Sequence, residues 1–77
     1  MYYHEVREAL KVGEKFEPLA FTFTDGTVEI IRHPEYALPT GGTLAIAKQE
    51  PGEETPWLKL YSLSQLVSIE PAGRRAN

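Results

Sequence analysis

Asp25-Gly26, set between two runs of β-branched and aromatic residues in FTFTDGTVEIIRHP (21–34), constrains this chain more than any other feature. The pair is a strong short-range hairpin signal, because a two-residue type I′ turn needs φ > 0 at both central positions and Asp and Gly tolerate it. With these two residues as the loop, Thr24 faces Thr27, Phe23 faces Val28, Thr22 faces Glu29 and Phe21 faces Ile30. Side chains alternate between the faces of a strand, so this register gathers Phe21, Phe23, Val28 and Ile30 on one face and the threonines with Glu29 on the other. Pro34 has no N–H to give a ladder and ends the second strand.

The rest of the chain reads as short elements around this hairpin. Tyr3, Val6 and Leu10 recur at helical spacing within Tyr2–Val12, with Gly13 placed as the residue after the helix. Phe16 follows in the connection, as a plug for one end of the core. Glu35–Gly42 reads as a loop. Strand three spans Thr43–Lys48 with Leu44 and Ile46 inward. Gln49–Pro56, polar, acidic and broken by two prolines and a glycine, reads as an exposed connection. Strand four spans Trp57–Ser62 with Leu58 and Leu60 inward. Leu63-Ser64-Gln65 forms a tight turn, and strand five, Leu66–Glu70, points Val67 and Ile69 inward before Pro71.

One helix followed by five short strands is the element order of a mainly β, five-stranded antiparallel SH3-like barrel of the Sm kind. An open five-stranded meander with the helix packed on one face is the alternative, and an OB-like barrel fits less well because its helix is usually internal. Residues 1–71 form a single domain and 72–77 a disordered tail.

Composition narrows the function classes. The chain has no cysteine, which removes disulfides and thiolate metal sites and accords with a reducing, cytoplasmic setting. No apolar run reaches the ~20 residues needed to span a bilayer, and MYYHEVREAL lacks the apolar stretch of a signal peptide. Of the eight basic residues two, Arg74 and Arg75, lie in the tail; against the 11 acidic groups the remaining body repels phosphate backbones.

Phe16-Glu17-Pro18-Leu19, Asp25-Gly26, Arg32-His33-Pro34-Glu35 and Ile69-Glu70-Pro71 together resemble a pattern found in a group of short bacterial proteins of unknown function: a Pro-Phe-x-Pro-Phe stretch after a helix, Asp-Gly, His-Pro-Glu and a closing Ile-Glu-Pro. Lys15 stands at the first proline of that pattern and Leu19 at its second phenylalanine. The resemblance implies a shared small fold and transfers no activity. Sm proteins bind RNA through two loop motifs, and His33-Pro34-Glu35-Tyr36 and Ser62-Leu63-Ser64-Gln65 stand where those motifs would be without matching either.

Arg32-His33-Pro34-Glu35-Tyr36 is the densest cluster of chemically capable groups. His33 and Glu35 invite a small metal or hydrolytic site, but a lone His-x-Glu lacks the further ligands or the nucleophile that such chemistry requires. No phosphate loop, nucleophile constellation or metal motif occurs elsewhere in the chain, and no cofactor is expected. A second candidate is the stripe of Trp57, Lys59 and Tyr61 on strand four, facing out if the leucines face in and then typical of interface hot spots. The expected role is a non-enzymatic protein-interaction module, self-associating or binding another protein, with Arg32, His33, Glu35, Tyr36, Trp57, Lys59 and Tyr61 as contact residues. RNA or single-strand nucleic-acid binding through Arg32, His33, Trp57 and Tyr61 is the alternative from a different class, and the acidic body argues against it.

Overall fold

A computed structural model describes residues 1–11 and 15–75. It contains one short helix, α1 (Tyr3–Ala9), and six strands, β1 (Leu19–Phe23), β2 (Val28–Ile31), β3 (Ala37–Pro39), β4 (Thr43–Lys48), β5 (Trp57–Ser62) and β6 (Leu66–Pro71). The strands form two antiparallel three-stranded sheets, ordered β2-β1-β6 and β3-β4-β5. The closed five-stranded barrel is therefore corrected to two open sheets, which the meander alternative fits better.

One cluster of buried residues joins the layers. Phe21, Phe23, Ile31 and Leu66 come from the first sheet, Ala37, Leu44 and Ile46 from the second, and Val6 and Leu10 from the helical segment. Each sheet thus buries one face against the other, as a two-layer domain requires. Tyr3 of the helical stripe turns away instead, and its hydroxyl accepts a bond from Arg7 Nη1 at 2.7 Å. Phe16 packs against the cluster as the connection implied, whereas Gly13, expected to follow the helix, lies outside the described residues.

The hairpin forms at Asp25-Gly26, but its loop holds three residues, not two. Gly26 N–H closes a turn on the Phe23 carbonyl at 2.9 Å, and Phe23 N–H pairs with the Thr27 carbonyl at 2.9 Å. Gly26 alone has positive φ, 89°, while Asp25 keeps a negative φ and accepts the Thr27 N–H on Oδ1 at 2.9 Å. That bond to Thr27 also holds the Asp25 carboxyl below its ordinary range. The extra loop residue slips the register by one, so that Phe21 pairs with Glu29 and Thr22 with Val28. Every side chain of β2 changes face in consequence. Ile31 and Glu29 are buried where Ile30 and Val28 were expected, and Ile30 is exposed.

Three further expectations are overturned. Glu35–Gly42 is no simple loop: Pro34–Tyr36 forms a 3₁₀ turn and Ala37–Pro39 is a strand, too short and too rich in turn formers to show a period. Val67 is the extra residue of a bulge, since Thr22 pairs with Ser68 and Phe23 with Leu66, and it points to solvent while Ile69 packs on the core. On β5 the faces are exchanged. Tyr61 stacks on the Phe23 ring, centroids 3.8 Å apart, whereas Leu58 and Leu60 are 64% and 66% exposed.

The bounds of β4, β5 and the 3₁₀ turn Leu63–Gln65 match the sequence reading, and β6 runs one residue further, through Pro71. Thr24 N–H donates to the Gln65 carbonyl at 2.8 Å, tying the hairpin loop to the turn between the sheets. After β6, Ala72–Arg75 makes a 3₁₀ turn in which Ala72 N–H bonds the Pro18 carbonyl at 2.9 Å; residues 76–77 of the expected tail are outside the described residues.

Because an L-residue in the left-handed region costs about 1–2 kcal/mol, Gly26→Ala lowers unfolding free energy by that amount. Urea denaturation of the two proteins measures it. A three-residue loop with Asp25 at negative φ further implies that Asp25→Ala costs less than Gly26→Ala, an order that a type I′ turn would not require.

Candidate functional site

Glu29 is the chemically distinctive residue of the inner space. It is 5% exposed and sits on β2 facing the second sheet. An isolated buried carboxylate costs several kcal/mol, so its partners decide whether the fold tolerates it. Lys48 Nζ, from the end of β4, donates to Oε1 at 2.7 Å; the Tyr61 hydroxyl donates to Oε2 at 2.5 Å; Lys59 Nζ lies 3.4 Å from Oε2. Lys59 also lies over the Tyr61 ring, 5.1 Å from its centroid. All three partners come from the second sheet, so the carboxylate binds one layer to the other.

The electrostatics follow from this geometry. Burial alone raises the Glu29 carboxyl, but hydrogen bonds from Lys48, Tyr61 and Lys59 outweigh it and hold the group below the ordinary glutamate range. Burial, then the bond to Glu29, raises the Tyr61 phenol, which keeps it neutral and a donor. Contact with Tyr61 and then with Glu29 raises Lys59. With every partner engaged and the acid kept ionised, the cluster is poor in general-acid or general-base capacity and good as a polar strap.

The contact residues expected from the sequence divide between four places. Arg32, His33 and Tyr36 come together on one wall of an open cleft of about 790 Å³, with Lys48, Pro51 and Pro56 on the other. His33 meets the Tyr36 ring edge-on at 5.3 Å. Glu35, on the same 3₁₀ turn, is exposed and outside the cleft lining. Lys59 and Tyr61 belong to the Glu29 strap. Trp57 shares their side of β5 but lies at the strand's start and remains 42% exposed. Among the described residues no three His, Asp or Glu side chains are grouped to hold a metal ion, and no helix is long and apolar enough to cross a membrane.

Sequence reasoning missed Glu29 and Lys48. A glutamate between two apolar residues in a strand reads as the solvent side of an alternation, and only a correct loop length would have revealed it. It also missed the outer face of the second sheet. There Leu38 pairs with Ala45 and Ala45 with Leu60, making one row across three strands, and Ala47 with Leu58 makes the next. These residues form a contiguous apolar patch with no ionisable side chain, and Leu38 is 62% exposed.

Compared with protein families, curated proteins and solved structures, the chain matches none.

Linkage fixes the sign of the pH dependence. Glu29 titrates lower in the folded protein than in the unfolded chain, so its stabilisation is complete above the ordinary glutamate pKa and is lost as pH falls through the folded value. Chemical denaturation between about pH 7 and pH 3 is expected to show this loss below about pH 4. Glu29→Gln removes that part of the dependence. At neutral pH it costs about 1–2 kcal/mol, because the lysines are part-exposed and return to water.

Proposed function

We propose that this chain is a non-enzymatic interaction module that self-associates through the outer face of the β3-β4-β5 sheet. The observation that carries the reading is the row Leu38–Ala45–Leu60 with Leu58 beside it, large apolar side chains left in water on a regular strand surface. Contiguous exposed apolar patches beyond a few hundred Å² mark interaction sites, whereas scattered single leucines do not.

Charge and area favour a second copy as the occupant. The protein carries a net charge of -3, which disfavours like meeting like, yet the patch itself bears no ionisable group, so two copies meet there without setting charge against charge. Strands β4 and β5, six residues each, and the three-residue β3, about 4.8 Å apart, present a face of at most roughly 14 by 20 Å. Two such faces stacked as in a β-sandwich, rims included, bury somewhat less than about 1,000 Å², the size of a weak, transient interface. The assembly is accordingly weak, with a dissociation constant on the order of 10–100 µM. A domain of 77 residues gains stability from such burial.

The nucleic-acid reading is weakened at one of its stacking residues, because the Tyr61 ring lies on Phe23 and its hydroxyl on Glu29. Strap residues that face inward are unavailable to a base.

Sedimentation velocity from micromolar to millimolar protein is expected to show a concentration-dependent dimer. Leu60→Lys should convert it to a monomer while changing unfolding free energy by no more than about 0.5 kcal/mol, as for an exposed position. A monomer throughout the range, or a Leu60→Lys protein that still dimerises, overturns the reading.

A further inference from the structure

The leucine face is not uniform along its strands. Side chains alternate, so Thr43 and Ser62 fall on the same side as Ala45 and Leu60, and they pair across β4 and β5 as a third row, of hydroxyls. Both are exposed. The turns beyond that row, residues 40–42 and Leu63–Gln65, carry no ionisable side chain. Beyond the Ala47–Leu58 row lies the connection of residues 49–56. Its Glu50, Glu53 and Glu54 are exposed and make no ion pair among the described residues. The face therefore has a neutral hydroxyl end, two apolar rows in the middle and an acidic end.

We infer that two copies pair with their strands antiparallel, about a two-fold axis that crosses β4 and β5 between the Ala45 and Ala47 rows. This rests on the self-association proposed above and adds which way round the second copy sits. A two-fold dimer sets one patch against itself, and sheets packed face to face leave the axis either along the strands or across them. With the axis along the strands, both acidic connections come to the same end, the three carboxylates of one copy beside the three of the other. Stacked sheets lie about 10 Å apart, close to the Debye length at about 0.1 M salt, so screening leaves part of that repulsion in place. With the axis across the strands, the connections go to opposite ends. Strand β5 then lies over β5 of the other copy and β4 over β4. Leu60 faces Leu58 of the other copy, Ala45 faces its Ala47, and each hydroxyl row overhangs the start of the other connection, polar against polar. Both apolar rows are covered and no acid meets an acid.

The chain has no cysteine of its own, so single thiols report position without background. Thr43→Cys and Gln49→Cys stand at exposed positions at opposite ends of the face. In the antiparallel pair, position 43 of one copy faces position 49 of the other at about 10 Å, while the two positions 43 are displaced by about 20 Å along the strands. In the parallel pair, like positions face each other instead. The two variants are mixed at millimolar concentration, treated with a short bismaleimide and analysed by intact mass. The mixed 43–49 product is expected to exceed the Thr43→Cys homodimer by about tenfold, since a tethered maleimide meets a facing thiol at high effective concentration. Sedimentation of the same samples separates the two levels of the reading. A dimer in which the Thr43→Cys homodimer dominates overturns the antiparallel arrangement and leaves self-association standing. So does a dimer in which neither product rises above its level in Leu60→Lys protein carrying the same cysteines. Protein that stays monomeric overturns both.

Discussion

The carboxylate of Glu29 and its three partners determine how the two sheets face one another. A buried acid cannot be left without partners, and the groups that satisfy it, Lys48, Lys59 and Tyr61, all lie on strands of the other layer. Lys59 and Tyr61 are two apart on β5, so both can reach inward only if that whole side of the strand does. The alternation then leaves Leu58 and Leu60 no place but the outside. The exposed leucine face is thus the other side of the strap: satisfying one acid in the interior places two leucines in water.

That dependence runs back to the loop after Phe23. With three residues in the loop, Phe21 is opposite Glu29 and the acid shares a face with Phe23 and Ile31. With two, Ile30 would have taken the inner position, no cation would have been required on β5, and an all-apolar core could have drawn the leucines in. Fold and surface chemistry therefore rest on a single residue of register.

Much of the scaffold was legible in the sequence because it depends on local chemistry. Strand bounds at Thr43–Lys48 and Trp57–Ser62, the turn Leu63–Gln65 and the hairpin at Asp25-Gly26 all carry signals within a few residues. The orientation of β5 was not legible, since the rule that apolar residues go inside holds one way only and a strand of alternating leucines and amphipathic residues can be buried on either side. Thr-Asp-Gly accommodates a two- or a three-residue loop equally well, and what separates them is the Asp25 side chain on the Thr27 N–H. Of the candidate site, the Arg32, His33 and Tyr36 wall was readable as a polar cluster in one short stretch. Its opposite wall, 12 to 24 residues further along the chain, depends on how β4 and β5 return and leaves no local trace.

The connection from Gln49 to Pro56 belongs to both surfaces at once: its two ends continue into β4 and β5, which carry the leucine face, and its middle forms a wall of the cleft. Its internal hydrogen bonds make it a spacer of defined shape and not a slack tether. Thermodynamic reciprocity then applies across it. If pairing of copies over the leucine face repositions this connection, the shape of the cleft and the strength of pairing are coupled, and whatever alters one alters the other by the same free energy.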